Sequence, residues 1–319
     1  MFTSSHRGST SSQRTLNRAA YNRAMLNQNM AGYPQARRSS QPPKRHHGFK
    51  LWLIVAVLLV GSGYTTWSKH ASAEASAARQ AQVQAAAAAK QKADIFGGQV
   101  QSLIADNPAD SLSIAVASNN QAVTTYGSSD TFDGASTAKL LTAADYFHHV
   151  EQGTASLQHR IDGQTAQHWL QIMLVNSDDT AWAELNDYLT HDDLANYADS
   201  IGFTNYDPDT NNFTARDVAS LLQQLYSGKL LNPAHRSQML NYLSRANYRQ
   251  FIVAAVPAGD SVYHKVGWDD DTINDGALIT HGPKYLVLVI FSDGNQTYDT
   301  ASRTQLMHAI TKDAIAAYL

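Results

Sequence analysis

From residue 111 onward the chain switches between two kinds of apolar patterning. SLSIAVAS (111–118) sets Leu112, Ile114 and Val116 against small partners, and AVTTYG follows after Asn119 and Asn120. Apolar residues at every second position fit strands, and the Asn pair fits a turn, so the two runs predict a hairpin. Helical spacing then takes over, predicting helices over 136–151, 165–174, 179–189, 192–200 and 214–226, with further helical turns to about 255. Three strand patterns come next: DSVYHKVGW, NDGALITH and KYLVLVIFS, separated by the turn groups Asp269 to Thr272 and Gly282-Pro283. Residues 285–291 are an unbroken apolar run, as expected of a central strand buried on both faces. A closing helix over about 300–318 lines up Leu306, Met307, Ile310 and Ala314.

Two strands, a helical block, three strands and a final helix do not alternate as βαβ units do. The order predicts an α+β fold, in which both ends of the segment build one five-stranded antiparallel sheet flanked by helices, with a helical subdomain inserted.

Ahead of this domain, expected over 95–319, the pattern changes three times. Residues 1–49 have no apolar periodicity and are rich in Ser, Arg, Gln, Asn and Pro, which predicts a disordered basic tail. LWLIVAVLLVGSGYTTW (51–67) is uncharged, bounded by Lys50 and Lys69, and carries Trp52, Tyr64 and Trp67 as candidate interfacial anchors. It predicts one transmembrane helix in the segment 50–68. Residues 69–94, rich in Ala and Gln, have high helix propensity but no stripe to bury, and predict a partly helical spacer.

Charge sharpens this division. Residues 1–69 hold ten Lys and Arg and no Asp or Glu, whereas the remaining 250 hold 14 basic and 27 acidic side chains, so the formal net charge of −3 averages two unlike parts. Positive charge ahead of the span predicts a cytoplasmic N-terminus and an extracellular domain in a single-pass cell-membrane protein. ASAEASA, after the span, leaves a cleaved signal peptide open as the competing reading. The basic tail fits topology setting and contact with anionic lipid, and no nucleic-acid partner is expected. With no cysteine, disulfides, thiolate nucleophiles and thiolate metal sites are excluded.

DGASTAKLLTAADYF (133–147) carries the candidate chemistry. Ser136 reads as a helix N-cap, but Lys139 stands three residues later, where a capping box has Glu or Gln. Three apart on a helix, the two side chains share a face. A serine hydroxyl needs a neighbouring base to become a good nucleophile, and a lysine can be that base once burial or a nearby cation lowers its pKa. Two later stretches add polar groups: Ser177-Asp178-Asp179 at a loop-to-helix start, and Lys265-Val266-Gly267 on a strand.

In order and spacing, Ser136-x-x-Lys139, Ser177-Asp178-Asp179 and Lys265-Val266-Gly267 resemble the three-motif signature of penicillin-recognising serine enzymes, class A β-lactamases in particular. The resemblance runs from about residue 111 to 319 and implies the same five-stranded sheet with a helical subdomain. It implies Ser136 as acylated nucleophile, Lys139 as proton acceptor, Ser177 as proton relay and Lys265 as partner of a substrate carboxylate. It also implies an oxyanion site between the backbone N–H groups of Ser136 and Trp268, with Asp179, Val266 and Gly267 along the substrate site.

Three departures from the family pattern shape the expected activity. Asp179 stands where an Asn is usual, and its carboxylate favours the charged lysine. Val266 replaces a hydroxyl residue. GFTNYDPDTNNFTARD (202–217) offers no Glu placed as the family's water-activating base; Glu184, Asp207 and Asp209 lie elsewhere. The expectation is a serine hydrolase that acylates with β-lactams or peptidoglycan peptides and deacylates slowly. A catalytically degenerate domain that binds cell-wall peptides or an envelope protein is the alternative. His148, His149, His159, His168 and His191 lack H-x-x-x-H spacing, so neither a metal nor a cofactor is expected. Trp169 and Trp182 read as core, and WDDDTIND (268–275) as a solvated turn.

Overall fold

The computed structural model describes residues 48–108, 110–119, 121–294 and 300–319, with side chains at 67 and from 69 onward. The expected tail therefore lies outside the described residues up to residue 47. Two compact units are distinguished, Met1–Ala73 and Glu74–Leu319. Of the first, the described part is helical backbone belonging to helix α1 (Gly48–Asp106). Among the described residues no helix is long and apolar enough to cross a membrane. The expected span has a helical backbone, but its side chains through residue 66 lie outside the described residues.

In the second unit, the Ala/Gln-rich stretch is helical throughout and exposed, because it offers almost nothing to bury. Burial begins at Phe96 and Val100, both 0% exposed, one turn apart and followed by the half-buried Leu103 and Ile104. This i, i+4, i+7, i+8 stripe docks the last turns of α1 on the sheet, with Phe96 edge-on to Tyr126 and Tyr318.

Strands β1 (Ser111–Ser118) and β2 (Thr124–Gly127) form the expected hairpin. A 3-10 turn (Ala135–Ala138) leads into α2 (Lys139–Gln152). Helices α3 (Ala166–Asn176), α4 (Asp179–Leu189), α5 (His191–Ser200), α6 (Ala215–Ser227) and α7 (Pro233–Leu243) complete the inserted block. Strands β3 (Ser261–Asp269), β4 (Thr272–His281) and β5 (Lys284–Asp293) follow, then α8 (Thr300–Tyr318).

All pairings in the five-stranded sheet are antiparallel, in the order β2-β1-β5-β4-β3. β5 is central, as its unbroken apolar run requires, and both its faces are covered. Val287, Val289 and Phe291 face the inserted helices, whereas Leu286, Leu288 and Ile290 face α1 and α8. β3 forms one edge, with the 3-10 turn packed against it.

Candidate active site

The nucleophile candidate sits on a turn that neighbouring backbone shapes. Ala135 is held at a φ of +42°, a left-handed conformation unusual for alanine. Three bonds secure it: Ala135 N–H donates to Asp133 Oδ1 at 2.8 Å, Asn211 Nδ2 to Ala135 O at 3.2 Å, and Asn274 Nδ2 to Asp133 O at 2.8 Å. Two glycines make room. A Cβ on Gly134 would fall 2.0 Å from the Phe213 ring, and one on Gly267 would fall 2.5 Å from Gly134 O and 3.0 Å from Ser136 N. β3 and the nucleophile turn thus approach backbone to backbone, which brings the strand carrying Trp268 to the amide of Ser136.

Ser136 does not act as an N-cap. Gly134 precedes the 3-10 turn and Ala138 precedes α2, and neither makes a side-chain cap. Instead, Ser136 Oγ accepts from Lys139 Nζ at 2.9 Å. Lys139 is fully buried, and its Nζ also donates to Ser177 O at 2.9 Å and Asp179 Oδ1 at 2.5 Å, with Ser177 Oγ at 3.5 Å. Three close oxygens match the three protons of an ammonium. Burial lowers the pKa of Lys139 from its ordinary value, while the hydrogen bond and charge of Asp179, and the charge of Asp178, pull it back up. The Asp179 side chain is 86% exposed, so water screens much of its pull.

Ser177 owes its position to a helix end. It caps α3 in the left-handed region, at a φ of +60°, while Asp178 caps α4 by accepting from Ala181 N–H at 2.8 Å. The serine is thereby held between two lysines, and Lys265 Nζ donates to its Oγ at 2.8 Å and to Val266 O at 2.8 Å. Burial, then the charge of Lys139, push Lys265 down to about 7 against the opposing pull of Asp275 and Asp179.

The cleft itself is small, about 160 Å³, lined by Ser136, Ser177, Asp179, Tyr248, Val266 and Trp268. The Val266 side chain belongs to the core on the far side of the sheet, with Phe251 and Ile252, and Trp268 is 44% exposed and edge-on to Phe251. Glu184, Asp207 and Asp209 do not line the cleft, leaving Asp179 as its one carboxylate among the described residues. Among those residues, too, no group of three or more His, Asp or Glu side chains is arranged to hold a metal.

Three further groups were not apparent in the sequence. Trp182 is half-buried against the core, as expected, and its ring also lies 5.6 Å from Lys139 Nζ in a cation–π contact. Tyr248 enters the cleft from a loop at a φ of +62°. Asp275 does not belong to a solvated turn. It is buried in β4, facing His264 at 3.3 Å and accepting from Ile252 N–H at 3.1 Å.

Comparison with known proteins fits this arrangement. A family model described as "Beta-lactamase enzyme family" matches residues 96–318, more than two thirds of the chain. The chain belongs to the beta-lactamase enzyme family. Solved beta-lactamase-like structures share its fold. PBP-A superposes with a TM-score of 0.64 at 20% identity, covering 70% of this chain and 95% of that one. An ancestral class A beta-lactamase gives 0.64 at 23%, covering 70% and 100%. A PBP-A mutant in an acyl-enzyme complex with penicillin G gives 0.63 at 20%, covering 70% and 96%. No curated protein matches the chain. The family match supports a serine hydrolase of the beta-lactamase family.

Proposed function

We propose that this beta-lactamase family member is a membrane-anchored, extracellular serine acyl enzyme, acylated at Ser136 by β-lactams or peptidoglycan peptides and slow to deacylate. The observation that carries the reading is the joining of four polar tips in one hydrogen-bonded chain: Ser136 Oγ, Lys139 Nζ, Ser177 Oγ and Lys265 Nζ. In its neutral form Lys139 takes the Ser136 proton as Oγ attacks the carbonyl carbon. The oxyanion forms beside the N–H groups of Ser136 and Trp268. The C–N bond then breaks, the leaving nitrogen takes the Ser177 hydroxyl proton, and the Lys139 ammonium returns a proton to Ser177. Lys265, beside Ser177, suits a substrate carboxylate. Slow deacylation follows from the single cleft carboxylate, Asp179, being engaged with Lys139 rather than free to activate water.

The test is labelling by a fluorescent penicillin. Covalent label on the wild type and none on Ser136→Ala is expected; no label, or equal label on both, overturns the reading. Persistence of the label over hours tests slow turnover, and rapid hydrolysis of a chromogenic cephalosporin contradicts it.

A second reading, a degenerate domain that binds wall peptides or an envelope protein, is favoured by the 2.5 Å contact of Asp179 with Lys139 and by Val266 facing the far core. Under it the wild type stays unlabelled, and Asp179→Asn, which frees Lys139 of the carboxylate, makes labelling appear. The anchor reading rests on the uncharged run 51–67 and the basic tail. An alkaline phosphatase reporter fused after residue 94 is expected to be active and membrane-bound in cells. Activity in the released fraction would instead favour cleavage after the span.

A further inference from the structure

Tyr248 differs from the other cleft residues in its backbone. Its φ of +62° is a left-handed conformation that a bulky aromatic residue rarely adopts, and such strain persists only where the surroundings enforce it. Here the loop between α7 and β3 is tied on every side. Before Tyr248, His264 Nε2 lies 3.4 Å from Ala246 O, and Asn247 N–H donates at 2.9 Å to Val175 O, two residues ahead of Ser177. After it, His308 Nε2 lies 2.8 Å from Gln250 O, Phe251 is fully buried, and Ile252 N–H donates to Asp275 Oδ2 at 3.1 Å. The buried His264–Asp275 pair on β3 and β4 thus grips both ends of the loop.

These ties fix the backbone but leave the Tyr248 side chain 48% exposed, and its hydroxyl has no hydrogen-bond partner among the described residues. Among the described residues beyond α1, the exposed large apolar side chains are Tyr248 and Trp268, and both residues line the cleft. A tyrosine so placed offers a ligand one apolar body and one polar tip.

Counting donors shows what that tip can do. A carboxylate beside Lys265 presents two oxygens. Lys265 Nζ has three protons and uses two on Ser177 Oγ and Val266 O, which leaves one for a substrate. The second oxygen needs another donor. Val266 stands where the family pattern has a hydroxyl and sends its side chain to the far core, and ionised Asp179 can only accept. Ser136 and Ser177 are engaged with Lys139 and Lys265, and the Trp268 ring leans on Phe251. Of the residues lining the cleft, Tyr248 has the uncommitted hydroxyl.

We propose that Tyr248 is a substrate-binding residue whose hydroxyl donates to the carboxylate oxygen that Lys265 leaves unpaired, replacing the hydroxyl absent at Val266. The proposal rests on the reading of the cleft as a site for β-lactams or peptides with a free carboxylate, but not on acylation of Ser136.

Full-length protein carrying Ser136→Ala, in detergent micelles, is titrated with a penicillin that bears a fluorophore on its amide side chain, as the free acid and as the methyl ester, and binding is read by anisotropy. The free acid is expected to bind about 100-fold more tightly than the ester. Adding Tyr248→Phe, which keeps the ring and removes the hydroxyl, is expected to weaken the free acid about tenfold and leave the ester within about twofold. Equal losses for acid and ester, an unchanged affinity for the acid, or no preference for the acid in the parent protein overturns the assignment. Failure of penicillin to label the wild type leaves this readout untouched, so the two readings fail separately.

Discussion

Lys139 meets two opposing demands. Its burial favours the neutral amine that the proposed base role needs, while Asp179, 2.5 Å away, favours the ammonium. Asp179→Asn removes the group that raises the lysine's pKa. The rising limb of acylation against pH is expected to move to lower pH, with the neutral-pH rate increasing about tenfold for each unit moved. Stopped-flow labelling across pH measures this, and a stationary limb would detach Asp179 from the titration. Lys265 makes a different point. Its folded pKa of about 7 lies below the ordinary 10.5, so the unfolded chain binds more protons between those values. Stability from this group is therefore full above about 10.5 and lost as pH falls through about 7. Lys265→Met is expected to raise the denaturation midpoint at pH 6 to 7 and flatten its rise toward pH 10, while removing labelling activity. Urea melts at several pH values check it, and an unchanged pH profile counts against the assigned shift.

At the level of elements, the nucleophile turn is held by contacts no local pattern reveals. A Cβ on Gly267 meets the Gly134 carbonyl and the Ser136 amide, backbone atoms that cannot rotate away. Gly267→Ala is expected to lower stability by about 1 to 3 kcal/mol and slow acylation about 100-fold, since small displacements at a reacting centre are costly. Labelling rates beside thermal melts separate the two effects; normal acylation in a destabilised variant would show that the approach does not set the site. What the sequence made legible follows the same logic. β1 and α4 were readable to the residue, because alternation in SLSIAVAS and the Asp178 cap are local signals. The three motifs were readable because their order and spacing are. Ser136 was misread as a cap because S-x-x-E and S-x-x-K starts look alike until Lys139 is seen reaching back to the hydroxyl. The roles of Trp182, Tyr248 and the His264–Asp275 pair were missed because their partners lie on other elements, which no local pattern connects.

For the molecule as a whole, the sheet needs cover on both faces, and the last turns of α1 supply part of it. Removing residues 1–93 leaves Phe96 and Val100 in place and is expected to give a folded, labelling-competent domain. Removing residues 1–106 strips two fully buried side chains from the far-face core, with an expected loss of about 4 kcal/mol. Urea midpoints of the two truncations measure the difference, and equal midpoints would mean the helix end is dispensable. The strand order has a consequence in time. β1, the first strand made, has β5, the last, between itself and β4, so the sheet cannot close until nearly the whole chain is available. Such long-range pairing folds slowly. The nucleophile turn, packed on β3, likewise waits for the sheet. If the domain is exported as proposed, a chain threaded outward from its N-terminal side emerges without a formed cleft, and the proposed nucleophile Ser136 is armed only after synthesis is finished.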